Sequence, residues 1–228
     1  MIELPLSYAA TTLFEIPLTR LAGRVPAPLS PIEVRPGVGL VSVTMCRVQE
    51  GGVHGAHGPL PAYDEVVFCV HVDPDLERGV PDLAMLVLTF AATEARALAA
   101  NADHHDLPVL DRPIRVTLDG HRQEVSDADG PIANLTCEHP TPRYEQRPAV
   151  LQVYTPTESG VRTYDETFEA RSFRHQRRAP CAVLHDHPLF AGVDVSGLTR
   201  PFLQWVCEPG RVLVQRASVP TRPVGGLP

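Results

Sequence analysis

The chain contains no lysine. All 20 of its basic residues are arginine, set against 27 acidic ones, for a formal charge of -7 over 228 residues. With no lysine, no side-chain amine is available to form an imine with a carbonyl substrate. The excess of acid argues against a nucleic-acid partner or an anionic membrane surface, because binding phosphate requires a positive field. One local exception, RSFRHQRR at 171–178, reads as a solvated loop or strand edge, with an anion site as the alternative. The lack of lysine beside abundant Ala, Arg, Pro and Val is also what GC-rich coding produces.

Other shortages narrow the field further. Aromatic residues are only 6% of the chain, too few to suggest a base-stacking platform. The cysteines at 46, 69, 137, 181 and 207 are odd in number, widely spaced and without a C-x-x-C pair. That pattern points to reduced thiols in a cytoplasm rather than to a disulfide framework. The opening MIELPLSYAATTLFEIPL lacks the basic segment of a signal peptide, and the longest apolar run, LAMLVLTFAA at 83–92, is too short to span a bilayer. We therefore expect a soluble, cytoplasmic protein.

What is present is β-rich. Twenty-four prolines and sixteen glycines favour many short strands and turns. Residues 38–48 (VGLVSVTMCRV), 65–72 (EVVFCVHV) and 84–91 read as buried strands. Residues 92–103 (ATEARALAANAD) form the one convincing helix, with Thr93 as N-cap and alanine at five interior positions. A second, short helix is expected over 19–24, capped by Thr19. Strands resume at 112–120, near 131–137, and at 149–156, 162–173 and 210–219. Within 162–172, Thr163, Asp165, Thr167, Glu169 and Arg171 alternate with Arg162, Tyr164, Glu166, Phe168, Ala170 and Ser172, a weakly amphipathic strand with one polar face. Strands on both sides of an isolated helix predict a mostly antiparallel α+β fold. One domain is expected over 1–219, followed by a flexible Pro/Gly-rich tail at 220–228.

Metal and nucleophile motifs are weak. His54 and His57 lie in a glycine loop, and His185 and His187 could share one face of a strand, but nothing supplies a clear third ligand; loop histidines and no metal are the expectation. No G-x-S-x-G elbow and no phosphate loop is present, and no cofactor is expected.

Four stretches together resemble the acetoacetate decarboxylase-like superfamily: LTRLAGRVPAPLSPIEV, AYDEVVFCVHV, TFAATEARALAANADHHDLPVL and HPLFAGVDVSGLTRPFLQW. The resemblance implies a β-cone or barrel with few short helices, a homo-oligomer, and a cavity for a small carbonyl or carboxylate substrate. In that family a lysine after the helix forms a Schiff base with a β-keto acid. The matching segment here is ANADHHDLPVLD, without lysine, and the family's N-terminal arginine has no match around Ser7–Thr11. The Tyr-x-Glu motif does carry over, onto Tyr63 and Glu65, and implies that Glu65 lies in the active site. A strand-start glutamate facing water is the other reading. Likewise His104 and His105 either stabilise the helix C-terminus through the macrodipole or exchange protons opposite Glu65. Tyr63, Arg96 and Arg115 are candidate substrate-binding residues. The implied function is a lysine-independent lyase or cyclase performing dehydration, cyclisation, isomerisation or hydrolysis, in secondary-metabolite biosynthesis. The alternative is a non-catalytic small-molecule binding protein on the same fold.

Overall fold

The central strands of the chain are apolar on both faces, and the architecture explains why. A computed structural model describes residues 2–51, 58–119, 122–137, 148–158, 160–175 and 181–216. The expected tail at 220–228 and the loop residues His54 and His57 lie outside the described residues, as does part of the basic stretch 171–178. Thirteen strands and one α-helix follow in order among the described residues. They are β1 (Ile2–Pro17), β2 (Val38–Val48), β3 (Tyr63–His71), β4 (Leu83–Ala92), α1 (Ala95–His105), β5 (Arg115–Asp119), β6 (Arg122–Ser126) and β7 (Pro131–Thr136). The remainder are β8 (Ala149–Thr157), β9 (Gly160–Glu169), β10 (Ser172–His175), β11 (Ala182–Leu184), β12 (Leu203–Cys207) and β13 (Gly210–Arg216).

Seven of these strands close a barrel in the order β1, β13, β9, β8, β4, β3, β2 and back to β1. All neighbours are antiparallel except β4 and β8. β1 is long enough to serve two partners on one edge: Ile2–Leu6 pair with β13, and Ala9–Leu13 pair with β12, which carries β10. A separate four-stranded sheet, ordered β11, β7, β6, β5, packs against the outside of β2 and β3. Val41, Val43, Met45, Val66, Phe68 and Val70 are therefore buried under that sheet and its flanking loops, with Phe68 meeting Phe190 edge-on at 5.2 Å. The alternate residues of the same strands, among them Cys46, Val48 and Cys69, face the barrel interior. Strands covered on both sides must be apolar throughout, as 38–48 and 65–72 are. The expected mostly antiparallel α+β barrel is the observed fold.

Several local expectations need correction. β1 was not expected at all, because Pro5 breaks its ladder pattern and its alternation is poor. The helix begins at Ala95 with Glu94, not Thr93, as N-cap; Glu94 accepts from the Arg96 amide at 3.2 Å. Thr93 is occupied elsewhere: its hydroxyl accepts from the Asp64 amide at 3.0 Å, tying the end of β4 to the start of β3. The helix continues through His105 and closes at Asp106, a non-glycine residue in the left-handed region at φ 50°. The stretch 19–24 holds only a 3-10 turn, Leu18–Leu21, with no side-chain cap. The strand expected over 162–173 breaks after Glu169, where Gly210 passes so close that a Cβ would lie 2.6 Å from the Glu169 carbonyl oxygen and from the Ala170 Cβ. The five cysteines form no disulfide, and no helix of the described residues is long and apolar enough to cross a membrane.

Candidate active site

The pleat of β3 sends Tyr63, Glu65, Val67 and Cys69 to the barrel interior, and the pleat of β9 sends Tyr164, Glu166 and Phe168 to meet them. α1 supplies Asn101 and His105, one helical turn apart and hence on the same face. Of these, all but Tyr63 and Cys69 line, with Leu4, Phe90, Leu151, Val153 and Val214, a cavity of about 80 Å³. That is far below the ~300–1,000 Å³ of pockets for drug-sized ligands, so the space suits a molecule of a few heavy atoms.

Two carboxyl groups share this small, largely apolar space. Burial raises Glu65 from its ordinary 4.5 to about 8; the neighbouring Glu166 pushes the same way, against hydrogen bonds from Tyr63 and Cys46 that favour the carboxylate. Cys46 sits directly opposite Glu65 in the β2–β3 ladder, and burial holds its thiol well above the ordinary value. Tyr63 is buried, bonded to Glu65 and Asn101, and its phenol too is raised by burial. Glu166 is raised to about 7 by burial alone. Both glutamates are partly exposed and line the cavity. Both carboxyls are thus pushed up towards neutral pH, Glu65 by burial and by its neighbour of the same sign, so that protons are held and exchanged in this cavity.

His105 is held rigidly. Its ring is edge-on to Tyr164 at 5.0 Å, its residue exposure is 8%, and its carbonyl accepts from the Tyr164 hydroxyl at 2.6 Å and from Thr155 at 3.2 Å. Replacing Tyr164 with Phe leaves that carbonyl one donor, and is expected to cost about 1–2 kcal/mol of stability. A urea midpoint unchanged from wild type would show the hydroxyl to be dispensable.

Of the residues singled out in the sequence, the fold brings Tyr63, Glu65 and His105 together. The backbone of His104 ends the helix beside His105, and its side chain lies outside the described residues. Arg96 is exposed on α1 and donates to the Pro59 carbonyl at 3.4 Å, and Arg115 is exposed on β5 of the outer sheet; neither borders the cavity. Arg47 and Asp64, adjacent to Glu65 in sequence, pair outside it at 2.7 and 3.0 Å. His185 and His187 do not form a ligand pair. His187 caps a 3-10 turn, accepting from Leu189, while its Nε2 bonds Asp127 at 3.0 Å. Among the described residues no group of three metal-ligating side chains occurs. Cavity residues that the sequence did not single out include Glu166, Asn101, Cys46, Thr11 and Thr44. Glu166 had a signal, since it falls on the same strand face as Tyr164 and Phe168.

The closed seven-stranded barrel and the cavity inside it match an acetoacetate decarboxylase-like fold. Solved structures that share it at TM-scores above 0.5 include the following. An acetoacetate decarboxylase superposes with TM-score 0.57 at 15% identity, covering 96% of this chain and 91% of its own. The enduracididine biosynthesis enzyme MppR in complex with pyruvate gives 0.56 at 11%, covering 93% and 88%. An acetoacetate decarboxylase-like enzyme from Sphingomonas wittichii RW1 gives 0.54 at 9%, covering 95% and 92%. No family model matches the sequence, and no curated protein matches it.

Proposed function

We propose that this chain is a lysine-independent enzyme that enolises a small carbonyl compound by acid–base chemistry, the step common to dehydration, cyclisation and isomerisation. The observation that carries the reading is the pair of glutamates lining one small cavity, both raised by burial and Glu65 the further. In a lysine enzyme the imine draws electrons from the reacting carbon. Here the protonated Glu65 carboxyl donates to the carbonyl oxygen, and that hydrogen bond takes over the same task as the enol forms. His105, fixed on the helix across the cavity, accepts the α-proton. Tyr63 and Cys46 orient Glu65. A fold neighbour that binds pyruvate and acts in biosynthesis, MppR, lends support to a carbonyl substrate and a biosynthetic setting.

The direct test is exchange of α-protons for deuterium in hydroxyacetone, aminoacetone and pyruvate, followed by NMR. Exchange above the buffer rate is expected with at least one of them; none with any would favour the binding-protein reading. A second expectation separates this chemistry from the lysine mechanism. Borohydride added with the turned-over ketone should leave the protein mass unchanged, because the chain has no lysine side chain to form an imine. A trapped adduct, at Met1 or elsewhere, would overturn lysine-free enolisation.

A further inference from the structure

Glu166 differs from Glu65 in one respect that the acid–base reading leaves unused. Glu65 receives hydrogen bonds from Tyr63 and Cys46. Among the described residues no donor reaches the Glu166 carboxyl, and no cation pairs with it; burial alone shifts it. Its charged neighbour is Glu65, of the same sign. The Glu166 carboxyl lines the cavity, so a donor on a bound molecule can reach it directly and offset the cost of holding it in an apolar space.

The rest of the lining indicates which partner. No arginine is among the cavity residues. Among the described residues, Arg47 pairs with Asp64, Arg78 with Asp165, Arg162 with Asp106, and Arg211 with Glu3 and Glu169. A substrate carboxylate would thus meet two carboxyls and no described guanidinium. Phe90, Tyr164 and Phe168 add ring faces and edges to the same walls, and aromatic faces attract cations.

We propose that the cavity takes a small carbonyl compound bearing a protonated nitrogen, and that Glu166 is the residue that selects it by accepting its N–H. This rests on the carbonyl-site reading above and deepens it by naming the substrate class: an amino ketone or amino aldehyde rather than a keto acid. Glu166 binds the cation in its ionised form, while Glu65 keeps its proton for the carbonyl oxygen. The two roles are compatible because ionisation of one carboxyl holds the proton on its neighbour of the same sign.

The test uses three methyl ketones of matched size that differ in charge: aminoacetone, hydroxyacetone and pyruvate. Calorimetric titration of the whole chain at about pH 7.5 is expected to give aminoacetone an affinity ~10-fold or more above hydroxyacetone, with pyruvate weakest, because a charge-assisted bond in an apolar cavity is strong. The aminoacetone-to-hydroxyacetone ratio should grow as the pH rises from 6 to 8 and Glu166 ionises. Glu166→Gln should bring the ratio within about threefold. Tightest binding by pyruvate, or a wild-type ratio flat from pH 6 to 8, would overturn the proposal without recourse to any variant. The readout is binding, so it fails separately from the acid–base reading. A protein that prefers aminoacetone but exchanges no α-proton would keep this inference and lose that one; active exchange with pyruvate bound best would do the reverse.

Discussion

Glu65→Gln is expected to lower the rate of α-proton exchange by ~10²–10⁴-fold, the usual range for removing a positioned general acid or base. The amide preserves size and can still offer an N–H to the carbonyl oxygen, but it cannot give up a proton as the enol forms. The loss should therefore fall mainly on kcat, with KM changing little, since an interaction made only in the transition state is removed. Wild-type kcat/KM should decline as the pH rises through about 8, where Glu65 loses its proton, and Glu65→Gln should lack that limb. A variant retaining more than about a tenth of wild-type exchange would remove Glu65 from proton transfer. If the rate fell but the alkaline limb persisted, some other group would be the titrating acid.

The parts of this site that were legible in the sequence, and those that were not, divide along physical lines. β2, β3 and β4 were readable because strands covered on both faces are continuously apolar, and 38–48 matches its strand to the residue. Glu65 and Tyr63 were found through a motif resemblance, not through spacing. β6, β11 and β12 were missed because five residues or fewer leave too little pattern to detect. Helical geometry could have corrected one candidate. Arg96 lies nine residues before His105, two and a half turns at ~3.6 residues per turn, and so faces the opposite way. Glu166 needed a different question of the 162–172 alternation. That alternation had already put it with Tyr164 and Phe168, but Arg162 on the same register made the face look polar. A carboxylate between two aromatic positions, in a strand whose other face is charged, is a candidate for an interior acid.

The same two carboxyls should make the fold less stable at alkaline pH, and replacing both should reverse this. Glu65 and Glu166 titrate in the folded chain near 8 and 7 instead of 4.5. Below about pH 4.5 they are protonated whether the chain is folded or not, and they cost nothing relative to an amide. As the pH rises from there towards 8, the unfolded chain releases these protons and the folded chain holds them. Native protein then binds more protons than unfolded protein, so stability falls with pH, and the fall stops once both groups have ionised in the fold. The accumulated loss is several kcal/mol, a large share of the ~5–15 kcal/mol that holds a domain together. The double variant Glu65→Gln/Glu166→Gln is neutral throughout and should escape this loss. Urea unfolding of the two proteins is expected to give similar free energies near pH 4.5 and to diverge by several kcal/mol at pH 9, with the inactive variant the more stable. Parallel curves across that range would mean the carboxyls are solvated and paired in the fold, which would remove the basis for a proton on Glu65 at neutral pH. Divergence would show that the cavity's chemistry is maintained against the stability of the barrel that surrounds it.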